Sequence, residues 1–173
     1  MRTVVGVLRG GPSSEYEVSL KTGASVLSNL NREKYDARDI FIDRKGEWHM
    51  QGVNMPAERA LRGVDVAVNA MHGEFGEDGK VQQLLDQHKV KYTGSKALAS
   101  AISMNKSMSK EFYRKAGLKT PISKTIKRGE YKDDLATTIF KTFPMPAIIK
   151  PNSAGSSVGT TLVNNINDIN RAI

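Results

Sequence analysis

Two apolar runs, Val4 to Leu8 and Val64 to Ala70, each break directly into a glycine-rich loop that opens onto a helical pattern. A strand that is apolar along its length suits the interior of a parallel sheet, and open α/β folds bind ligands at the carboxyl ends of such strands. The chain between the runs keeps the alternation going. A helix is predicted from near Ser14, with Leu20, Ala24 and Leu27 spaced to cover a sheet, and it stops near Asn29 to Asn31. Tyr35 to Ile42 reads as a strand, and Gly46 to Met50 as a turn with a short edge element. Val81, Leu84, Leu85 and His88 repeat at helical spacing, and Val90 to Thr93 fits a short last strand. The prediction is therefore a parallel-sheet α/β domain over residues 1–93.

The second half begins with two helical stretches over residues 95–116, where Met104, Met108 and Phe112 form an apolar stripe expected in the core. Gly117 and Pro121 end that region. Ile122 to Ile126, Asp133 to Thr142 and Ala147 to Lys150 then suggest strand, helix and strand. This unit, residues 94–173, lacks obvious closure at Ile173.

Its most specific segment is Lys150-Pro151-Asn152-Ser153-Ala154-Gly155-Ser156-Ser157-Val158-Gly159. A strand would hold Lys150 at a fixed point beside the turn. Small residues let backbone N–H groups approach an anion, and hydroxyls add further bonds. The P-loop triplet GKS or GKT is absent, and Val158 with Thr160 to Val163 reads as a returning strand, so the loop is expected to cover phosphates as a flap. Serine and glycine also build ordinary hairpin turns. Lys106 and Lys110 share one helical face, and either can reach the same phosphates or simply solubilise the helix.

In the first half, Gly10 to Glu17 follows a strand but is not GxGxxG. Glu15 near a helix amino end is explained equally by capping and by pairing with a substrate ammonium. Glu17 and Lys21 fit an exposed pair at helical spacing. The second loop, His72 to Gly79, joins three glycines to three acids. There His72 can donate to a carboxylate or serve a structural role, and Glu77 and Asp78 can cap the following helix. The loop offers no spaced second histidine, so no metal site is predicted.

Composition sets the remaining limits. Hydrophobic content of 39% with 25% charged residues is that of a globular chain. No segment reaches membrane-spanning length, and the first residues enter a strand before a signal-peptide core develops, which makes a cytoplasmic protein the simplest reading. The absence of cysteine excludes disulfides and thiol chemistry. The net charge of +8 divides unevenly: residues 1–88 carry 11 Lys or Arg against 13 Asp or Glu, and residues 89–173 carry 15 against 5. The basic half has no dense run with interspersed aromatics, so a compact phosphate ligand fits it better than nucleic acid.

Four ordered segments, GGPSSEYEVS, HGEFGEDGKVQ, YTGSKALASAISMNKSMSK and FPMPAIIKPNSAGSSVG, closely resemble the D-alanine–D-alanine ligases of the ATP-grasp superfamily. The resemblance covers nearly the whole chain but only the amino-terminal half or so of such an enzyme. It implies an amino-terminal α/β domain, a linker and an incomplete ATP-grasp α+β domain. It implies that Glu15 holds the amino group of the first D-alanine and that His72 lies near its carboxylate. Lys106 and Lys150 would bind ATP phosphates, and Gly155, Ser156, Ser157, Val158 and Gly159 would form the loop over them, with Ser156 also linked to Glu15. Ser153-Ala154 departs from the family, in which many members place a charged residue beside the glycine.

The reaction so implied phosphorylates one D-alanine carboxylate from ATP and lets the amine of a second D-alanine displace phosphate, giving the dipeptide for peptidoglycan precursors. Mg²⁺, or alternatively Mn²⁺, would bridge the phosphates through ligands expected beyond residue 173. A homodimer is also implied for the full-length enzyme, with no nucleic-acid or membrane partner. The chain alone is expected to have negligible turnover. Two alternatives remain open at this point: a ligase that joins D-alanine to another amino or hydroxy acid, and a non-enzymatic D-alanine- or nucleotide-binding remnant.

Overall fold

A computed structural model describes residues 2–127, 129 and 134–173. It divides into two compact units, Met1–Met104 and Asn105–Ile173. No helix among the described residues is long and apolar enough to cross a membrane.

The first unit is built on β1 (Thr3–Gly10), which pairs in parallel with β2 (Tyr35–Ile42) on one side and β5 (Val66–Asn69) on the other. β6 (Lys91–Tyr92) extends the parallel part, while β3 (Trp48–Met50) and β4 (Val53–Asn54) add an antiparallel edge, giving the order β4-β3-β2-β1-β5-β6. The side chains of β1 alternate between faces, as strand geometry requires. Val5 and Val7 pack with Ala70 against Val26, Leu27 and Leu30 of and beside α1 (Tyr16–Asn29). Leu8 faces the other way, into the larger core with Ile40, Ile42, Ala67, Val81 and Leu85, the last two from α3 (Lys80–Gln87). Both faces of β1 are thus covered, which is why its sequence is apolar without a break. A four-residue helix, α2 (Ala57–Ala60), closes the same core.

Of the residues that the apolar spacing of α1 pointed to, Leu27 packs on the core of Val5, Val7 and Ala70 and Leu20 is half-buried, but the fully buried positions are others. Ser19 and Gly23 are its buried positions, and Ala24 is exposed. The reason is closeness: a Cβ at residue 23 would lie 2.5 Å from Arg9 Cβ, so only glycine permits this approach. Ser19 then uses its hydroxyl twice, accepting from Gly10 N at 2.8 Å and donating to Ala70 O at 3.1 Å. One buried side chain therefore ties together the carboxyl ends of β1 and β5. Ser19→Ala leaves both backbone groups without that partner and is expected to destabilise the unit by about 1–3 kcal/mol, read from the midpoint of denaturant unfolding.

The second unit contains α5 (Lys106–Lys115), α6 (Leu135–Thr142), a two-stranded antiparallel sheet of β7 (Ala147–Ile149) and β8 (Thr161–Val163), and α7 (Ile166–Ala172). α4 (Ala97–Met104) belongs to the first unit. Ala136, Ile139, Val163 and Ile169 form the second unit's core. Of the helix predicted over Asp133 to Thr142, Asp133 lies outside the described residues.

Two expectations are corrected in this half, and one element is added. Met108 and Phe112 are 42% and 51% exposed, not core, because α5 turns Ser109 inward. Ile122 to Ile126 is not a strand: Ile122 is 75% exposed and no described strand edge pairs with the segment, although Ile126 packs on the core. Helix α7 was not anticipated. Its signal is local, since Asn165 accepts from Asp168 N at 3.1 Å while Asp168 accepts from Asn164 N at 3.0 Å, a reciprocal cap.

Candidate functional site

In the first unit the loops after β1 and β5 converge. Gly73 has φ +72°, and a Cβ there would lie 2.5 Å from Ser13 Oγ and 2.8 Å from Glu15 Oε2. The carboxylate of Glu15 thus rests over the backbone immediately after His72. Glu15 occupies the N-cap position of α1 but makes no side-chain capping bond. Its amide instead donates to Ser13 Oγ at 3.0 Å. Its carboxylate therefore makes no capping hydrogen bond, although it still stands at the amino end of α1. Glu17 is paired with Arg44 at 2.9 Å rather than with Lys21, because the β2–β3 turn brings that guanidinium over the helix.

The second loop is held by its own acids and by two amides. Glu77 accepts from Gly73 N at 2.7 Å, so it closes the loop instead of capping α3. Asp78 does bond the first turn of α3, accepting from Lys80 N at 3.1 Å. Asn69 and Gln82 both donate to Gly76 O, at 2.7 and 2.8 Å. Gly76 must be glycine, as a Cβ would come within 2.9 Å of the Met71 carbonyl carbon. Within this frame His72 is half-buried, with Nε2 2.9 Å from Thr22 Oγ1 and Nδ1 4.0 Å from Glu77 Oε1.

In the second unit Lys106 opens α5 and is fastened to the loop after β7. Its amide donates to Asn152 O at 2.9 Å, and its Nζ donates to Ala154 O at 2.5 Å. Asn105 caps α5 by accepting from Met108 N at 3.1 Å, and the same oxygen accepts from Asn152 Nδ2 at 3.0 Å. Asn152 in turn accepts from Ser107 N at 3.0 Å. This two-asparagine clasp was not read from the sequence. Its legible half is Asn105 directly before a helical pattern, an N-cap signal.

Two ammonium groups sit near that of Lys150. Burial first, and then the charge of Lys150, lower the pKa of Lys106; the same causes with Arg114 lower that of Lys110. The two are not equivalent in their contacts. Lys106 reaches the glycine-serine loop, whereas Lys110 Nζ donates to Pro121 O at 3.3 Å. The loop runs out from this point with Ser156 at φ +55° and Gly159 at φ +69°. A Cβ at residue 159 would lie 2.8 Å from Pro151 Cγ, so the two ends of the loop touch. Ser156, Ser157, Val158 and Gly159 are exposed, and Gly155 is half-buried. The arrangement is a lysine-based, outward-facing flap on a hairpin.

Asp43, Glu47 and His49 are the one group of three possible metal ligands found among the described residues. Turn formation explains it. Asp43 accepts from Lys45 N and Glu47 N at 2.8 and 2.9 Å and lies 3.4 Å from His49 Nε2, and the Glu47 amide bond is the main cause of its lowered pKa.

Comparison with known proteins agrees with this division. Residues 4–59 and 51–95 match the family model described as D-ala D-ala ligase N-terminus, and residues 112–173 match D-ala D-ala ligase C-terminus. A D-alanine–D-alanine ligase from Geobacter sulfurreducens is 38% identical over 171 residues, covering 99% of this chain and 50% of the relative. One from Geotalea uraniireducens is 41% identical, covering 92% and 47%. Among solved structures, the VanG D-Ala:D-Ser ligase from Enterococcus faecalis aligns with a TM-score of 0.83 at 29% identity, over all of this chain and 59% of that one. The Bacillus anthracis D-alanine–D-alanine ligase complexed with ATP aligns at 0.76 and 29%, over 99% and 51%. The chain spans about half the length of the curated relatives it matches. With both family models matched in order and the glycine-rich loops falling within them, the chain belongs to the D-alanine–D-alanine ligase family.

Proposed function

We propose that the complete protein joins two D-alanines at the expense of ATP, in the bacterial cytoplasm, and acts there as a homodimer. In this reading residues 1–93 are the substrate-side domain, and residues 94–173 are the linker and first part of the ATP-grasp domain. The observation that carries it is the Glu15 carboxylate resting over Gly73 beside His72. An acid and an imidazole at one strand edge match the ammonium and the carboxylate of a free amino acid. Glu15 binds the first D-alanine through its ammonium, and His72 meets its carboxylate. Lys106 and Lys150 hold the transferred phosphate, and Gly155 to Gly159, with Ser156 among them, cover it and exclude water. The amine of the second D-alanine then forms the amide bond as the C–O bond to phosphate breaks.

In this reading Mg²⁺ would be held by ligands beyond residue 173. The acids described in the second unit are Glu111, Asp134 and Asp168, the last occupied in capping α7, and among the described residues no group of three ligands is found there. No step is therefore routed through the metal.

The reading is tested by titrating D-alanine into residues 1–173 and following the amides of Gly73 and Ser13 by NMR. Binding should be saturable, absent with L-alanine, and weakened on the order of 10- to 100-fold in Glu15→Gln, the range of a hydrogen bond to a charged group. Equal affinity in Glu15→Gln would remove the assignment. The same polypeptide should release no dipeptide from ATP and D-alanine at an enzymatic rate. The similarity to a D-Ala:D-Ser ligase makes D-serine a second acceptor to assay in the complete protein.

A further inference from the structure

We propose that Thr22 is a positioning residue that holds His72 in its Nε2–H tautomer and leaves Nδ1 as the ring's one open atom. A hydroxyl carries one proton and can donate it once. Thr22 Oγ1 lies 3.0 Å from Val18 O and 2.9 Å from His72 Nε2. A carbonyl oxygen cannot donate, so that contact is a hydrogen bond only if Thr22 supplies its single proton to Val18. The hydroxyl can then only accept from the ring. Both contacts are satisfied together when Nε2 carries the hydrogen, and the opposite tautomer sets two acceptors against each other.

The site's geometry gives the choice a consequence. Nδ1 is 4.0 Å from Glu77 Oε1, and Glu77 is fixed because its other oxygen accepts from Gly73 N at 2.7 Å. Thr22 stands one helical turn from Val18 on α1, whose rotation is locked by Ser19 and Gly23. The ring is thus oriented from behind by a rigid helix, and its Nδ1 edge is presented on the side where the Gly73 loop is held. This step rests on the D-alanine reading only for what Nδ1 meets, a substrate carboxylate, and that contact is a hydrogen bond only when a second ring proton sits on Nδ1. The tautomer itself is independent of that reading.

Long-range ¹H–¹⁵N correlation of histidine-labelled protein at about pH 9, well above the ordinary imidazole value near 6.5, reads the tautomer directly. Wild type should show His72 Nε2 as the protonated nitrogen and Nδ1 as the bare one. Thr22→Val, nearly identical in shape, should shift the ring toward a mixture of tautomers, and Thr22→Ser should retain the wild-type pattern. A protonated Nδ1 in wild type, or an unchanged tautomer in a folded Thr22→Val, would overturn the proposal. If Thr22→Val fails to fold, the wild-type spectrum decides alone. A correct tautomer in a protein that does not bind D-alanine would leave this assignment standing and sink the substrate reading instead.

Discussion

Gly10→Ala should unfold the first unit at a markedly lower temperature than wild type. Gly10 has φ +92°, and a Cβ placed on it would lie 2.1 Å from Ile42 O. That oxygen belongs to the backbone of the neighbouring strand and also accepts from Gly11 N at 2.8 Å, so it cannot move aside without undoing the end of the β1–β2 pairing. The left-handed conformation costs about 1–2 kcal/mol and the overpacking about 1–3 kcal/mol, which together give about 3 kcal/mol. For a unit of this size that corresponds to a fall of roughly 12–24 °C in Tm. Gly52→Ala is the control. Its φ is +77° with nothing within 4 Å, so only the conformational part applies. Thermal unfolding followed by circular dichroism should rank the two clearly, and an equal loss in both would show that the contact with Ile42 is not what demands glycine.

Lys106→Met should weaken ATP binding on the order of 10- to 100-fold, the range expected when one hydrogen bond to a charged group is lost. Lys110→Met should change it far less, since that ammonium bonds Pro121 O, whereas Lys106 reaches the glycine-serine loop at Ala154 O. Titration of ATP against the amide resonances of Gly155 to Gly159 measures both. The pH dependence has a definite sign. Burial and the neighbouring Lys150 lower the Lys106 pKa, so its charge is lost as pH rises through a value below that of an ordinary lysine. Phosphate affinity should begin to fall there. Folding stability moves the opposite way: between the lowered folded value and the ordinary unfolded one, the unfolded chain binds more protons, so this group's contribution to stability rises with pH. Affinity that stays flat until the ordinary lysine range would contradict the placement of Lys106 beside a second cation.

The sheet of the first unit was legible because its central strands read as short, continuous apolar runs bounded by glycine-rich loops. Helix α1 shows the limit of the same reasoning. Apolar spacing selected Ala24, but the helix lies so near β1 that it buries Ser19 and Gly23 instead, and spacing says nothing about how closely two elements approach. The second unit was harder to read for a related reason. The inward position of Ser109 and the irregular path of Ile122 to Ile126 follow from what the rest of the unit offers as partners, which no local pattern encodes. Glu15, His72, Lys106 and Lys150 stood out because charged groups beside small-residue loops are unusual. Thr22 and Asn152 did not, since each acquires its role through a partner at least 45 residues away, and of Asn105 only the local helix cap was legible.

The Ser19 bond fixes what kind of ligand the floor of the crevice can recognise. Where β1 gives way to its loop, an open α/β protein can offer a ring of bare amides to a phosphate. Here most of those amides are already occupied. Gly10 N is bound to Ser19 Oγ, Gly11 N to Ile42 O, Ser13 N to Gly11 O, Glu15 N to Ser13 Oγ and Tyr16 N to Ser13 O, while Pro12 has no N–H to give. An anion arriving at this turn would find most of its donors taken and a carboxylate standing near them. A cation would find the reverse, and so this edge of the sheet is wired to discriminate by sign of charge before any shape is read.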